Sequence, residues 1–320
     1  MLPIIDFAAV RAHDTAGTQL AAASIRDACL SDGFFYITNH GVPDAVIEAV
    51  YEQGRRFFRQ PPEVKRQAAV NARHRGFNAL GDAHMYEARK PDYKEFFSMG
   101  LDLPEDDPDV LAGEKLRGPN NWPPGMPAFR AALEAYYAAM LACGADLMRA
   151  VAVSLELDAD FFSARYRKPL QRTQIVYYPP QPPDLGEDQF GVAPHSDFGC
   201  ITLLWQDSNG GLEVLERSTQ RWIPAPPIPG TLVINVADLL ARWTNDRYAS
   251  TPHRVVNRSG RERLSIATFH DPDYQAMVDP RDLGTPDAAC RYEPILAGEH
   301  IVGRIERSFG YRKNLAAAGS

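Results

Sequence analysis

The hydrophobic pattern divides the chain into a largely helical first half and a strand-rich second half. Apolar residues at helical spacing predict helices over residues 16–30, 44–58 and 129–157. Short strands are predicted at 2–7 and 34–37, and 73–100 is interpreted as a loop and a strand lying over a site rather than in the core. The pattern therefore predicts a mostly helical N-terminal region over residues 1–169.

From residue 170, short apolar runs alternate with turns rich in Gly, Pro and Asn. These runs predict strands at 174–178, 200–205, 211–215, 222–224, 231–236, 253–257 and 264–270. Closely spaced strands of this kind are typical of a β-sandwich or barrel. With a closing helix over 299–309 and no linker, we predict one domain over 1–320. It is mainly β with flanking helices (α+β), with a β core over 170–291 and a C-terminal helix and tail over 292–320.

Composition narrows the class of protein. The 320 residues are 45% hydrophobic and 23% charged, as in an ordinary soluble enzyme, and the net charge is -7. Without a basic tract we expect no nucleic-acid partner, and without a signal peptide or an apolar run near ~20 residues we expect no membrane. The four cysteines are widely spaced, which favours free thiols and a cytoplasmic location. The pattern does not specify an oligomeric state.

Candidate metal ligands occur in the segment Gly191–Asp207, which is predicted to be a strand around His195 and Asp197. Alternate residues of a strand point the same way, so an imidazole and a carboxylate could meet at one point. They are two members of a 2-His-1-carboxylate site for ferrous iron. Taken alone, the triplet at 195–197 is better explained as a His beside an unrelated Asp than as part of a metal site. His253, at the start of another strand, could supply the third ligand across a rolled sheet.

A second candidate site lies on the strand that begins near Arg263. By alternation, one face of this strand carries Arg263, Ser265, Ala267 and Phe269. Breaking a buried ion pair costs roughly 3–5 kcal/mol, so a buried Arg263 needs a partner. A ligand carboxylate bound by Arg263 and Ser265 would provide it. An outward-pointing Arg263 is equally compatible with the pattern.

Motifs in both halves of the chain carry a resemblance to a known family. In the second half they are HSD at 195–197, ITLLWQD at 201–207, NVADLL at 235–240, WTND at 243–246, STPHRV at 250–255 and RLS at 263–265. In the first half they are GFFY at 33–36, NHGV at 39–42 and KEFF at 94–97. With these motifs the chain resembles, over nearly its whole length, the iron(II)/2-oxoglutarate-dependent oxygenases of the isopenicillin N synthase-like family.

The resemblance implies a double-stranded β-helix, or jelly-roll, core with the metal inside its mouth. The implied ligands of Fe(II) are His195, Asp197 and His253. The residues implied to bind 2-oxoglutarate are Arg263, Ser265 and Tyr178. One departure is Val176, where the family often has Asn, so a polar contact to the co-substrate is either missing or supplied from elsewhere.

The resemblance also implies the reaction, in which O2 and 2-oxoglutarate oxidise a C–H bond of a small molecule with release of succinate and CO2. Hydroxylation is the usual outcome. Positions within the family motifs suggest substrate contacts for Phe96, Ser98, Gln174, Phe269 and Asp271, and more weakly for Phe77 and Tyr86. We interpret His74 and His84 as surface residues.

Three other functions fit the same residues. An isopenicillin N synthase-type oxidase would use O2 without 2-oxoglutarate and hold a substrate carboxylate with its Arg-x-Ser pair. A jelly-roll enzyme with zinc or manganese would perform non-redox chemistry, and a ligand-binding protein on this scaffold would not be catalytic. The sequence does not identify the substrate, nor distinguish hydroxylation from desaturation, cyclisation or demethylation.

Overall fold

A computed structural model describes residues 1–82, 90–182, 186 and 188–308 of the chain. The expectations for His84, Tyr86 and the tail beyond residue 308 lie outside these residues. The helices are α1 (Ala8–Arg11), α2 (Thr15–Leu30), α3 (Asp44–Phe58), α4 (Pro62–Lys65), α5 (Pro108–Leu111), α6 (Pro127–Ser154), α7 (Asp238–Trp243) and α8 (Ala297–Ser308). The long predicted helices therefore form, and α3 spans the predicted residues.

The seven strands predicted for the second half form within two residues of their predicted bounds. Over the described chain the strands are β1 (Ile4–Asp6), β2 (Phe34–Thr38), β3 (Gly76–Asn78), β4 (Glu95–Gly100), β5 (Arg172–Tyr178), β6 (Val192–His195), β7 (Ile201–Gln206), β8 (Leu212–Glu216), β9 (Arg221–Pro224), β10 (Thr231–Val236), β11 (His253–Val255), β12 (Arg263–His270), β13 (Met277–Val278) and β14 (Ile295–Leu296). β13 and β14 form a small hairpin-like pair outside the main sheets.

The main strands form two sheets. The larger has eight strands in the order β1-β2-β10-β7-β12-β5-β4-β3, and the smaller has four in the order β6-β11-β8-β9. Side chains from β5, β7, β10 and β12 of the larger sheet and from β6, β8 and β11 of the smaller line a common cavity. The two sheets therefore enclose this cavity, and the core is mainly β, as predicted.

The N-terminal region contributes strands as well as helices to this core. β1 and β2 complete one edge of the larger sheet, and β4 and β3 complete the other. The expectation that 73–100 lies outside the core is wrong for the described residues of this segment, because Phe77, Phe96 and Phe97 are all buried. Phe97 contacts Phe57 of α3 and Phe129 of α6 at centroid distances of 5.5 and 5.0 Å. Both faces of β4 are covered, so its sequence lacks the alternation of a half-buried strand.

Helix α6 is the longest helix and lies in the interior. By length and composition it could cross a bilayer, which the sequence analysis did not anticipate. In the fold its residues Tyr136, Met140 and Leu147 are fully buried, and it packs against α2 and α3. These contacts are those of a core helix. As predicted, the four cysteines are free thiols.

Candidate metal centre and active site

The two histidines of the candidate metal centre meet through strand pairing. His195 ends β6 and lies directly opposite His253, the first residue of β11, in antiparallel register. Their ring centroids are 4.3 Å apart. Asp197 lies beyond the end of β6, so the expectation that one strand carries both His195 and Asp197 is wrong. The chain turns after His195, and the turn brings Asp197 Oδ1 to 3.5 Å from His195 Nε2 and 3.7 Å from His253 Nε2.

Backbone carbonyls orient both imidazoles. His195 Nδ1 lies 2.9 Å from the carbonyl oxygen of Ala193, and His253 Nδ1 lies 3.2 Å from that of Thr251. A carbonyl can only accept a hydrogen bond, so each Nδ1 carries the proton. Each Nε2 is then left with a lone pair directed at the same region as Asp197 Oδ1. This is the tautomer that a metal ligand requires.

The carboxylate of Asp197 is held by one oxygen only. Its Oδ2 accepts hydrogen bonds from Thr202 Oγ1 at 2.5 Å and from Asn235 Nδ2 at 2.9 Å. Thr202 and Asn235 are opposite each other in the β10–β7 ladder, so both side chains reach the same point. Oδ1 is left to face the histidines. Neither donor was predicted from the sequence, although each lies in a quoted motif, because their shared target depends on strand register.

The protonation states of Asp197 and His253 suit the binding of a cation. Burial alone would raise the pKa of Asp197, but the neighbouring His253 and His195 and the hydrogen bond from Thr202 hold that pKa well below its usual range. Burial, reinforced by the neighbouring His195, lowers the pKa of His253 to about 4. At neutral pH Asp197 is therefore ionised and His253 is neutral, as in a metal site.

The geometry fits a small divalent metal. Two ligand atoms that each bind one ion at about 2 Å cannot be more than about 4 Å apart, and the distances of 3.5 and 3.7 Å satisfy this limit. His195, Asp197 and His253 each direct one ligand atom towards a common point. Two neutral imidazoles and one carboxylate, open on the cavity side, are the facial set that suits non-haem Fe(II).

Arg263 lies deeper in the same cavity and points inward. It is 1% exposed, and three uncharged oxygens hold its guanidinium. Nε donates to the Gly210 carbonyl at 2.6 Å, Nη1 to Ser265 Oγ at 3.1 Å and Nη2 to Gln206 Oε1 at 3.2 Å. No described carboxylate neutralises it. Three of its five N–H groups are used, so two remain for an anion in the cavity.

The predicted alternation on β12 is confirmed, since the cavity is lined by Arg263, Ser265, Ala267 and Phe269. Tyr178 is opposite Arg263 in the β12–β5 ladder, and the guanidinium carbon lies 4.6 Å from the centre of its ring. Val176 also faces the cavity, and so does Gln174 on the same strand.

A second cavity adjoins the first and shares five lining residues with it, namely Lys94, Gln174, His195, Asp197 and Phe269. Its apolar wall is formed by Phe96, Phe198 and Phe269. Its polar wall is formed by His74, Lys94, Arg172 and Gln174. Phe96, Gln174 and Phe269 were predicted from the sequence. Phe198, Lys94 and Arg172 were missed, although Phe198 and Lys94 lie beside or within quoted motifs.

The two cations in this wall are paired on the side away from the cavity. Lys94 Nζ lies 3.0 Å from Asp92 Oδ2, and Arg172 Nη2 lies 3.1 Å from Asp271 Oδ2. Asp92 also accepts the backbone N–H of Ala193 at 3.0 Å, which links Lys94 to the strand that carries His195. Each cation therefore has spare N–H donors but little net charge to offer.

Three expectations from the sequence are wrong. Asp271 lines neither cavity, because its carboxylate accepts the N–H of Cys200 at 2.8 Å and pairs with Arg172. Ser98 is buried opposite Gln174 in the β4–β5 ladder and lines neither cavity. His74 is 1% exposed and faces the second cavity rather than the surface. In each case, the packing around a buried side chain decides its contacts, and a single sequence does not reveal that packing.

Comparison with known proteins decides the family. Residues 2–125 match the N-terminal family described as non-haem dioxygenase in morphine synthesis, and residues 169–272 match the 2OG-Fe(II) oxygenase superfamily. A 2-oxoglutarate-Fe(II) type oxidoreductase of Aspergillus fumigatus is 34% identical over 322 residues, which cover 97% of this chain and 95% of that protein. The chain belongs to the 2OG-Fe(II) oxygenase superfamily. The rolled core of this oxygenase is thus the double-stranded β-helix of that family.

Solved structures agree with this assignment. A full-length Neurospora crassa protein in complex with alpha-KG superposes with a TM-score of 0.84 at 29% identity, covering 95% of each chain. JOX2 in complex with 2OG, Fe and JA superposes with a TM-score of 0.79 at 27% identity, covering 97% of this chain and 86% of that one. The oxygenase is therefore a 2-oxoglutarate-dependent dioxygenase that uses Fe(II) and O2. This confirms the main prediction over the oxidase and ligand-binding alternatives.

Proposed function

We propose that this oxygenase hydroxylates a C–H bond of a small, flat molecule held in the second cavity, with iron bound by His195, Asp197 and His253. When bound, iron and 2-oxoglutarate supply O2 activation, with the co-substrate converted to succinate and CO2. The protein holds the three ligands in a fixed geometry and excludes water behind aromatic side chains. The observation that carries the proposal is the buried, uncompensated Arg263 in the cavity that also contains the three ligands.

Arg263 and Ser265 are proposed to bind the distal carboxylate of 2-oxoglutarate. The two unused N–H groups of Arg263 match the two oxygens of a carboxylate, and the Ser265 hydroxyl lies beside them. A bound carboxylate would supply the counter-charge that the described residues lack. The ring of Tyr178 packs against one face of the Arg263 guanidinium. The Tyr178 hydroxyl is proposed to donate a hydrogen bond to the same co-substrate.

Gln174 is proposed to replace the polar contact that Val176 removes. The two residues are on the same face of β5, and both line the cavity. The Gln174 amide makes no side-chain hydrogen bond to another residue in the described part of the chain. Because Gln174 also borders the second cavity, it lies between the two proposed binding sites.

The substrate class follows from the walls of the second cavity. Three phenylalanine rings suit a flat or apolar molecule, and the amino and guanidinium groups of Lys94 and Arg172 suit its hydrogen-bond acceptors, such as keto or carboxylate oxygens. The Neurospora crassa protein has been solved with thymine and JOX2 with JA, both small molecules. We propose a substrate of that size here, and a cytoplasmic location with no nucleic-acid or membrane partner.

The first experiment is an anaerobic titration of the iron-loaded protein with 2-oxoglutarate. We expect a weak visible metal-to-ligand absorption band that saturates. In Arg263→Gln the band should need about 100-fold more 2-oxoglutarate, because a charge-assisted bidentate contact is lost, while iron content is unchanged. The control is Arg254→Gln, which removes a different arginine, one that already pairs with a carboxylate of the protein, that of Glu213. Absence of the band in the unaltered protein would refute the proposal.

The second experiment screens small molecules for succinate release that depends on O2. Compounds that are flat and carry carbonyl or carboxylate oxygens are expected to be the active ones. Activity should fall in Lys94→Met and Phe198→Ala, with the absorption band retained. If active compounds are saturated amines without acceptor oxygens, the proposed substrate class is wrong.

A further inference from the structure

Hydrogen bonds from the first residues of α7 hold the loop that carries Asp197. We call residues 196–200 the metal loop. The N–H of Asp238 donates to the carbonyl of Asp197 at 2.9 Å, and the N–H of Leu239 donates to that of Gly199 at 2.8 Å. The Asp238 carboxylate also accepts the hydroxyl of Ser196 at 3.1 Å. Asp238 is thus bonded to the residue between two metal ligands and to the backbone of one of them.

The C-terminal helix completes this arrangement. Arg304 of α8 places Nη2 2.6 Å from Asp238 Oδ2, and both side chains are about four-fifths buried, at 20% and 18% exposed. Asp238 Oδ1 accepts the hydroxyl of Ser250 at 2.7 Å, three residues before His253. Asp238 therefore links the segments leading to Asp197 and to His253, and Arg304 provides its counter-charge.

Arg304 makes a second contact on the substrate side. Its guanidinium carbon lies 4.9 Å from the ring centre of Phe198, a residue of the metal loop that forms part of the second cavity's wall. A cation over an aromatic face is attracted to it, which favours one position of the ring. Arg304 lines neither of the two cavities and borders a separate surface cleft instead.

We propose that Arg304 is a positioning residue for the oxidation. Through Asp238 it fixes the metal loop, and through Phe198 it fixes one wall of the substrate cavity. The role through Phe198 rests on the proposed function, which assigns that cavity to the substrate. Loss of the guanidinium leaves Asp238 with hydroxyl and backbone partners only and leaves Phe198 without its cation, so the metal loop opens more often while the sheets stay intact.

Hydrogen exchange measured by mass spectrometry tests this on the full chain, without O2, with Mn(II) alone and with Mn(II) plus 2-oxoglutarate. In Arg304→Met, amides of the metal loop and of residues 237–240 should exchange about tenfold faster, while β5 and β12 exchange as before. Arg304→Lys keeps the charge opposite Asp238 and should restore much of the protection. Arg307→Met removes an exposed arginine from the same helix and is the control.

A second readout is the rate at which a chelator removes the metal. It should rise in Arg304→Met but not in Arg307→Met, because only the first change loosens the metal loop. Unchanged loop exchange in Arg304→Met, or an equal rise across β5 and β12, overturns the inference. If 2-oxoglutarate adds no protection to the unaltered protein, the proposed function fails instead, since the Mn(II)-only arm tests Arg304 independently.

Discussion

The two carboxylate oxygens of Asp197 show how single residues prepare the metal centre. Thr202 and Asn235 bind Oδ2, which leaves Oδ1 towards the two histidines. Such supporting hydrogen bonds set the direction of a ligand before the metal arrives. The side chain is therefore organised as a one-oxygen ligand, which leaves more of the coordination sphere open to the co-substrate than a two-oxygen ligand would.

Thr202→Val removes one of these supports with little change in shape. We expect the affinity for Fe(II) to fall by about 10- to 100-fold, the usual effect of losing such a partner, because the carboxylate can then rotate. Thr173→Val is the matched control, since Thr173 bonds Thr268 inside the same sheet and does not contact Asp197. Anaerobic metal titration measures both. Equal losses in the two variants would mean that sheet packing, not the Asp197 contact, sets the affinity.

The alternation of residues along β12 and the resemblance of the motifs to a known family were together enough to predict the side chains that face the cavity from β12 and the three candidate ligands. The partners of these residues could not be predicted in the same way. Thr202 and Asn235 share a target only because β7 and β10 pair in one register, which the sequence does not state. Asp271 and Ser98 were placed wrongly because motif position does not show which neighbours pack against a buried side chain.

At the scale of elements, the sheet edges and the helices of the N-terminal region hold the barrel. β2 and β4 extend the sheet that carries β12, while α6 packs along it. The helix periodicity was readable because each helix has an exposed face. β3 and β4 were misread because both of their faces are covered and the apolar run loses its alternation.

Gly144 of α6 lies against His270 of β12. A methyl group there would lie 2.6–2.7 Å from the ring atoms of His270, which is buried and stacked on Tyr166. Gly144→Ala should therefore destabilise the protein by about 1–3 kcal/mol through overpacking, despite the better helix propensity of alanine. Urea unfolding measures the change.

Gly303→Ala is the matched control, because Gly303 lies in α8 and the nearest described atom to an added methyl group is the end of Arg307, at 4.0 Å. There the same substitution should stabilise the protein by about 0.5–1 kcal/mol, since alanine favours helix. If Gly144→Ala were also stabilising, α6 would have to be able to move away from β12.

At the scale of the whole molecule, buried neutral histidines couple the fold to pH. Burial lowers the pKa of His270 to about 3, and the pKa values of His253 and His300 are lowered to about 4. In the unfolded chain a histidine titrates near about 6.5. Between these values the unfolded state binds more protons, so stability rises with pH. The contribution is complete above about pH 6.5 and is lost as the pH falls towards the folded-state pKa.

His270 is suited to a test because its ring is fully enclosed and its Nδ1 bonds Gln171 Oε1 at 2.9 Å. For His270 alone, the pKa values predict a loss of about 2 kcal/mol between pH 7.5 and pH 5. His270→Phe keeps the stacking on Tyr166 but cannot bind a proton. It should be less stable than the unaltered protein at pH 7.5, and the difference should shrink by about 2 kcal/mol at pH 5.

Urea unfolding of the metal-free protein at the two pH values measures this difference, because loss of bound metal at low pH cannot then contribute. Asp271 and Asp273 have raised pKa values and oppose the trend, but they are present in both proteins and cancel in the comparison. His13→Gln, which changes an exposed histidine, should follow the unaltered protein. Parallel pH profiles for His270→Phe and the unaltered protein would show that the buried His270 ring does not cause the acid sensitivity.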